Sequence, residues 1–237
     1  MQDKEPLKYR EYELNLSGIK TNIAGMAGPH NNDGLNGKLT KQEVFQYLKQ
    51  KGRDVLIGLH ESEHFEKEAE AAGLEYKYIP ILDLTNTPIS PETYDAIYEV
   101  VIKAIQEGKS VSIHCGSGAG RTGTAIASLK LHEILERAVK DNPLILDHDP
   151  EITTSIFTTW SGRVPCTPFV EKAIKGARQE IVPVGGGVHG IQSVETENDV
   201  RTLMNYEKHL RMQMKEMLQK QESLTTETTN GMRRVLR

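Results

Sequence analysis

The sequence predicts an α/β fold in which a central, mostly parallel sheet is flanked by helices. Three observations predict it. Short apolar runs such as Val55-Leu56-Ile57-Gly58-Leu59 and Val111-Ser112-Ile113 lack the polar alternation of a half-exposed strand, as strands covered on both faces do. These runs alternate along the chain with amphipathic segments of helical period. A glycine-rich turn then joins Val111-Ser112-Ile113 to a helix start, where sheets of this kind carry their sites.

With 237 residues, one domain with a substantial core and some additions is expected. The formal net charge of −4 offers no broad basic surface, which argues against nucleic acid as the main ligand. The two cysteines, Cys115 and Cys166, are far apart and lack metal-ligand spacing, so a reduced, cytoplasmic setting is expected. The charged start Met1-Gln2-Asp3-Lys4-Glu5 has no apolar core, and no apolar run is long enough to span a bilayer, so the chain reads as soluble with no transmembrane segment.

Taken in order, residues 1–18 form a polar N-terminal segment in which Tyr12, Leu14 and Leu16 alternate well enough for a short edge strand. Ile19 to Pro29 reads as a strand ending in a glycine-rich turn, and Asn31-Asn32-Asp33-Gly34 as a loop. Thr40-Lys41-Gln42-Glu43 is a capping box that opens a helix ending near Gly52. A buried strand over 54–59 follows. His60, Glu61, Glu63 and His64 then read as a solvated loop and the cap of the next helix, since they do not complete a metal-ligand set. That helix stops at Gly73, and Leu74 to Leu82 is another strand.

Ser90-Pro91-Glu92 starts a helix with Tyr94, Ile97, Tyr98, Val101, Ile102 and Ile105 on one face. The strand 110–113 leads to His114-Cys115-Gly116-Ser117-Gly118-Ala119-Gly120-Arg121-Thr122-Gly123 and a helix to about Lys140. Residues 141–165, with Trp160, form a variable insertion, followed by a helix from Phe169 to Ile181. Gly185-Gly186-Gly187 is a flexible turn, Thr196-Glu197-Asn198-Asp199 caps a closing helix, and the polar tail 216–237 is expected to be disordered.

The chemistry concentrates at residues 115–122. Three glycines between Cys115 and Arg121 let successive backbone N–H groups curl toward one concavity, and the helix start adds its positive end, so an anion is expected there. The same field and a nearby cation favour the Cys115 thiolate, a nucleophile facing the anion. Arg121 offers a planar fork for two phosphoryl oxygens. The Thr122 hydroxyl is expected to hydrogen-bond the thiolate and help it leave. Asp83, just after the strand Ile79-Pro80-Ile81-Leu82, is the candidate acid for a leaving oxygen. His114 is expected to shape the loop, and Asp95 lies too far into the next helix to compete with Asp83.

His-Cys-x5-Arg-Thr-Gly resembles the signature of the cysteine-dependent protein tyrosine and dual-specificity phosphatase superfamily. The resemblance spans roughly residues 19–210, with 141–165 outside it. It implies a dual-specificity type fold over 19–215 and the placing of an acid such as Asp83 on a loop 32 residues before the cysteine. Ala173-Ile174-Lys175-Gly176-Ala177-Arg178 is similar to a pattern in which the arginine serves phosphosubstrate binding or architecture. The loop lacks Trp-Pro-Asp, the version of the tyrosine-only subfamily, and Asp199 stands where the family often has a nearby Gln.

The implied activity is hydrolysis of phosphomonoesters through a phosphocysteine, with Gly116, Ser117, Gly118, Ala119 and Gly120 binding phosphate and no metal or organic cofactor. A phosphorylated protein is the expected substrate. An inositol phosphate or phosphoinositide is the alternative substrate, although 116–120 hold no lysine. A non-catalytic phosphotyrosine adaptor and a sulfur transferase are readings from other classes. Oligomeric state and substrate are open at this level, and the polar tail leaves a translocated bacterial effector as a second setting beside the cytoplasm.

Overall fold

In the computed structural model, the residues described are 6, 8–32, 39–62, 64–82, 88–147, 155–159, 162–178, 194 and 196–235. In chain order the strands of the main sheet are β1 (Arg10–Leu16), β2 (Ile19–Ala27), β3 (Val55–His60), β4 (Glu75–Ile81) and β5 (Val111–Cys115). A hairpin of β6 (Ser155–Thr159) and β7 (Gly162–Cys166) stands apart. The helices are α1 (Lys41–Gln50), α2 (Glu66–Ala71), α3 (Pro91–Gln106), α4 (Gly120–Asp141), α5 (Pro168–Arg178) and α6 (Glu197–Val235).

The sheet order is β1-β2-β5-β3-β4, with β1 antiparallel to β2 and the other pairs parallel. β5 lies at the centre and all five of its residues are buried. One face packs Ile23, Val55, Ile57, Val111 and Ile113 against the inner faces of α3, α4, α5 and α6. The other packs Met26, Leu56 and Tyr76 against Val44, Phe45 and Leu48 of α1 and Ala69 of α2. Each such large side chain removed from water contributes about 1.5–3 kcal/mol, and α1 buries four of them, Val44, Phe45, Tyr47 and Leu48. The capping box forms: Glu43 N–H donates to Thr40 Oγ1 at 3.3 Å and Thr40 N–H to the Glu43 carboxylate at 2.6 Å.

Parallel pairing carries β2, β3, β4 and β5 in one direction, so their C-terminal ends share one edge. Cys115, Ala27 and His60 all lie along it. Arg53, just before β3, locks the antiparallel edge in place. It is 3% exposed, pairs with Glu11 at 2.7 Å, and donates to the Asn22 backbone and side-chain oxygens, each at 2.8 Å.

The short edge strand expected around Tyr12, Leu14 and Leu16 forms as β1, with all three side chains buried. Two other stretches differ from expectation. The insertion 141–165 contains the end of α4, a short 3₁₀ helix Pro143–Asp147, β6 and most of β7. The tail expected to be disordered from 216 instead continues α6 to Val235, since Lys, Glu, Gln, Met and Leu favour helix and nothing before Gly231 breaks it. Trp160 and Gly185-Gly186-Gly187 lie outside the described residues.

Candidate active site

The loop after β5 folds back against β2. Gly28 N–H donates to Gly116 C=O at 2.9 Å, and Gly118 N–H donates to Cys115 Sγ at 3.3 Å. Gly118 has φ +74°, and a Cβ there would lie 2.4 Å from Ala27 N, so both its backbone conformation and its space require glycine. Gly118→Ala is therefore expected to lower the melting temperature and the activity together, whereas the exposed Ser117→Ala leaves stability within about 0.5 kcal/mol. Thermal unfolding of the two variants measures the difference.

α4 starts at Gly120, with Gly123 N–H donating to Ala119 C=O at 2.7 Å. Cys115 is 1% exposed and sits where the helix start meets the loop. Arg121, 7% exposed, draws three strand ends together. Its Nη1 donates to Ile81 C=O at 3.0 Å and to the Glu61 carboxylate, and a Cβ on Gly116 would lie 3.4 Å from Nη2. Ile81 ends β4 and Glu61 follows β3, so the guanidinium is oriented from one side by both.

Glu61 was expected to be a solvated cap and is instead a partner of Arg121. Partial burial pushes its carboxyl up, but hydrogen bonds from its own backbone N–H and Arg121, together with the Arg121 charge, outweigh this and hold it below the ordinary 4.5. The pair is thus intact above that value and is lost as pH falls through the lowered one. Glu61→Gln keeps the shape and removes the charge. It is expected to cut kcat/KM about tenfold, the cost of one charge-assisted hydrogen bond, and steady-state kinetics measure it.

His60 lies against Gly116: a Cβ on that glycine would lie 2.9 Å from His60 Cδ2. His30 meets the His60 ring edge to face at 5.5 Å. Sequence reasoning missed both histidines as part of this site. The signal was their position after β2 and β3, the two strands that flank β5.

His114 is fully buried and its Nδ1 lies 3.3 Å from Cys115 C=O, to which it donates. Burial drives its pKa down to about 4, so it shapes the loop as a neutral ring. His132 on α4 is likewise held at about 3 by burial. Between pH 6.5 and about 4 the unfolded chain takes up protons at these positions and the native chain does not. Stability is therefore expected to fall with pH across that window by up to about 1.4 kcal/mol per unit for each histidine, as urea unfolding at pH 7 and 5 measures.

Thr122 does not make the bond expected of it. Its Oγ1 is buried without a hydrogen-bond partner, its methyl packs toward Gly25, and Gly118 N–H approaches the sulfur instead. Arg178 donates to Val194 C=O at 2.9 Å and lies 4.0 Å over the Phe157 ring, contacts that tie α5 to the hairpin. Asp83 lies outside the described residues. Asp95 accepts from His209, Tyr206 and Gln213. Cys166 is buried, which pushes its thiol up to about 11, the behaviour of an inert core cysteine.

Cys115 thus lies beside the start of α4 with an oriented Arg121 next to it, at the edge where the sequence places an anion. The family model described as "Polymorphic toxin system, DSP-PTPase phosphatase" matches residues 25–133, the stretch from β2 through the loop into α4. Among solved structures, kinase associated phosphatase is 15% identical at a TM-score of 0.51, over 89% of this chain and 97% of that one. Tk-PTP in its active form is 20% identical at 0.48, over 78% and 91%, and PTPMT1 in complex with PI(5)P is 15% identical at 0.49, over 81% and 94%. No curated protein matches the chain in sequence. The stretch 25–133 is thus similar to DSP-PTPase phosphatases in sequence, and the chain shares its fold with kinase associated phosphatase. No helix among the described residues is long and apolar enough to cross a membrane.

Proposed function

We propose that the protein hydrolyses phosphomonoesters through a phosphocysteine at Cys115, as a dual-specificity-like protein tyrosine phosphatase. The observation that carries this is the Gly118 N–H donated to Cys115 Sγ beside the start of α4, which holds the sulfur inside the glycine loop. The thiolate attacks phosphorus, forming the P–S bond as the ester P–O bond breaks. Asp83, as the carboxylic acid, gives its proton to the leaving oxygen. Water then attacks the phosphocysteine, passes its proton to the Asp83 carboxylate, and the P–S bond breaks to return thiolate and phosphate.

The amides of Gly116 to Gly120 and the Arg121 fork hold the phosphoryl oxygens through both steps. Support for Asp83 comes from its neighbour Ile81, whose carbonyl touches Arg121, so the chain leaves β4 beside the loop. Thr122 is kept as a group that meets the sulfur during departure. Arg178 is assigned to architecture rather than phosphate binding, on the contacts that hold it to the hairpin. No metal or organic cofactor enters this scheme.

The substrate proposed is a phosphorylated protein, with phosphotyrosine first, because residues 116–120 bring no lysine for the further phosphates of an inositol ring. The setting proposed is the cytoplasm. The family model's toxin-system description supports delivery there as an effector.

Asp83→Ala is expected to lower kcat by about 10²–10⁴ on an alkyl phosphate, whose leaving oxygen needs the proton most, and by less on an aryl phosphate. Rates with phosphotyrosine, phosphothreonine and phosphoinositide substrates in chelator test the class. Preference for the phosphoinositide would assign the alternative. Binding of a phosphopeptide without turnover would assign the adaptor.

A further inference from the structure

The position after Cys115 is glycine for a reason that lies outside the loop. Gly118 needs glycine for its positive φ, but the φ of Gly116 is outside the left-handed region, so its backbone does not demand one. Its surroundings do. A Cβ at 116 would lie 2.9 Å from His60 Cδ2, 3.2 Å from His60 Nε2 and 3.4 Å from Arg121 Nη2. The imidazole at the end of β3 thus stands where a side chain at 116 would stand.

We propose that His60 is a positioning residue whose ring sets the place of Gly116, and so of its amide, beside the Arg121 fork. This role rests on the phosphatase chemistry proposed for the site, in which the Gly116 N–H holds a phosphoryl oxygen.

The ring is itself held. Ser62 backbone N–H donates to its Nδ1 at 3.3 Å, and Ser62 Oγ lies 3.2 Å from the same atom. A backbone N–H only donates, so Nδ1 is the acceptor and the neutral ring carries its proton on Nε2. His30 meets the ring edge to face at 5.5 Å and stacks in turn on Phe65, with centroids 6.3 Å apart. Phe65 belongs to the core that packs α1 and α2 on the sheet, so the ring has a firm backing.

Gly116 has a second restraint, because its C=O accepts from Gly28 N–H at 2.9 Å. Gly28 follows β2 and His60 ends β3, so the loop is clamped from both strands that flank β5. Glu61, the next residue, pairs with Arg121. One short segment after β3 therefore reaches both ends of the loop. Misplacing a reacting group by about 1 Å can cost about 10²-fold in rate, so smaller shifts at Gly116 are measurable.

The test is a double-mutant cycle with a phosphotyrosine peptide. Gly116→Ala is expected to lower kcat about tenfold, because the new methyl forces ring or loop aside. His60→Ala is expected to lower kcat at least about threefold with a smaller change in KM, since a loosened amide is missed most in the transition state. In the double variant the methyl takes room that the ring has left, so it should be more active than Gly116→Ala alone. His60→Phe keeps ring atoms opposite Gly116 and should recover most of the kcat that His60→Ala loses.

A double variant no more active than Gly116→Ala, or His60→Phe no more active than His60→Ala, overturns the proposal. The second comparison decides it if Gly116→Ala does not fold. Turnover that survives Cys115→Ser would overturn the phosphocysteine scheme and this role with it. The packing of His60 on Gly116 is read separately by thermal unfolding, where Gly116→Ala should destabilise the His60→Ala chain less than the native one.

Discussion

Cys115→Ser is expected to reduce hydrolysis of a phosphotyrosine peptide by at least about 10⁴-fold while leaving the melting temperature close to native. The reasoning is chemical and steric together. A serine hydroxyl at neutral pH stays protonated, and among the described residues the adjacent His114 is a neutral ring whose Nδ1 faces Cys115 C=O. Oxygen is smaller than sulfur, so the substitution fits a position that is 1% exposed. The loop amides and Arg121 remain, so phosphopeptide binding should persist. Calorimetric titration of the inactive variant measures this second half of the prediction.

Arg121→Lys is expected to lower kcat/KM about 10²–10³-fold, the scale for removing one preorganised donor to a developing oxyanion. Nη1 is committed to Ile81 C=O and Glu61, and the rest of the fork faces the loop. An ammonium is one point charge and cannot fill both positions. A lysine drawn to Glu61 would leave the phosphoryl oxygens, and one drawn to the phosphate would release the end of β4. Single-turnover rates should fall with kcat, which separates lost transition-state contacts from weakened binding.

Much of this architecture was legible because single residues enforce it. Thr40 with Glu43 fixes a helix start, Gly73 and Gly108 lie just beyond α2 and α3 with positive φ, and the apolar runs 55–59 and 111–113 become the buried strands β3 and β5. Cys115 and Arg121 were legible because glycine spacing and a helix start are local features. Glu61, His60 and His30 were not, since their importance depends on strand order, and only the β2-β5-β3 arrangement brings them to the loop. The Thr122 hydroxyl lies off the sulfur in this structure for a rotameric reason: the side chain turns its methyl toward Gly25. The tail was misjudged because polarity was read as disorder, although its residues are good helix formers.

The most direct measurement of the central claim is acid-quenched rapid mixing of the enzyme with a radiolabelled phosphotyrosine peptide, followed by peptide mapping. The account predicts label on the peptide that contains Cys115, in an acid-stable and iodine-labile thiophosphate linkage, and none in Cys115→Ser. Steady turnover with no label on Cys115, or turnover that survives Cys115→Ser, would contradict it.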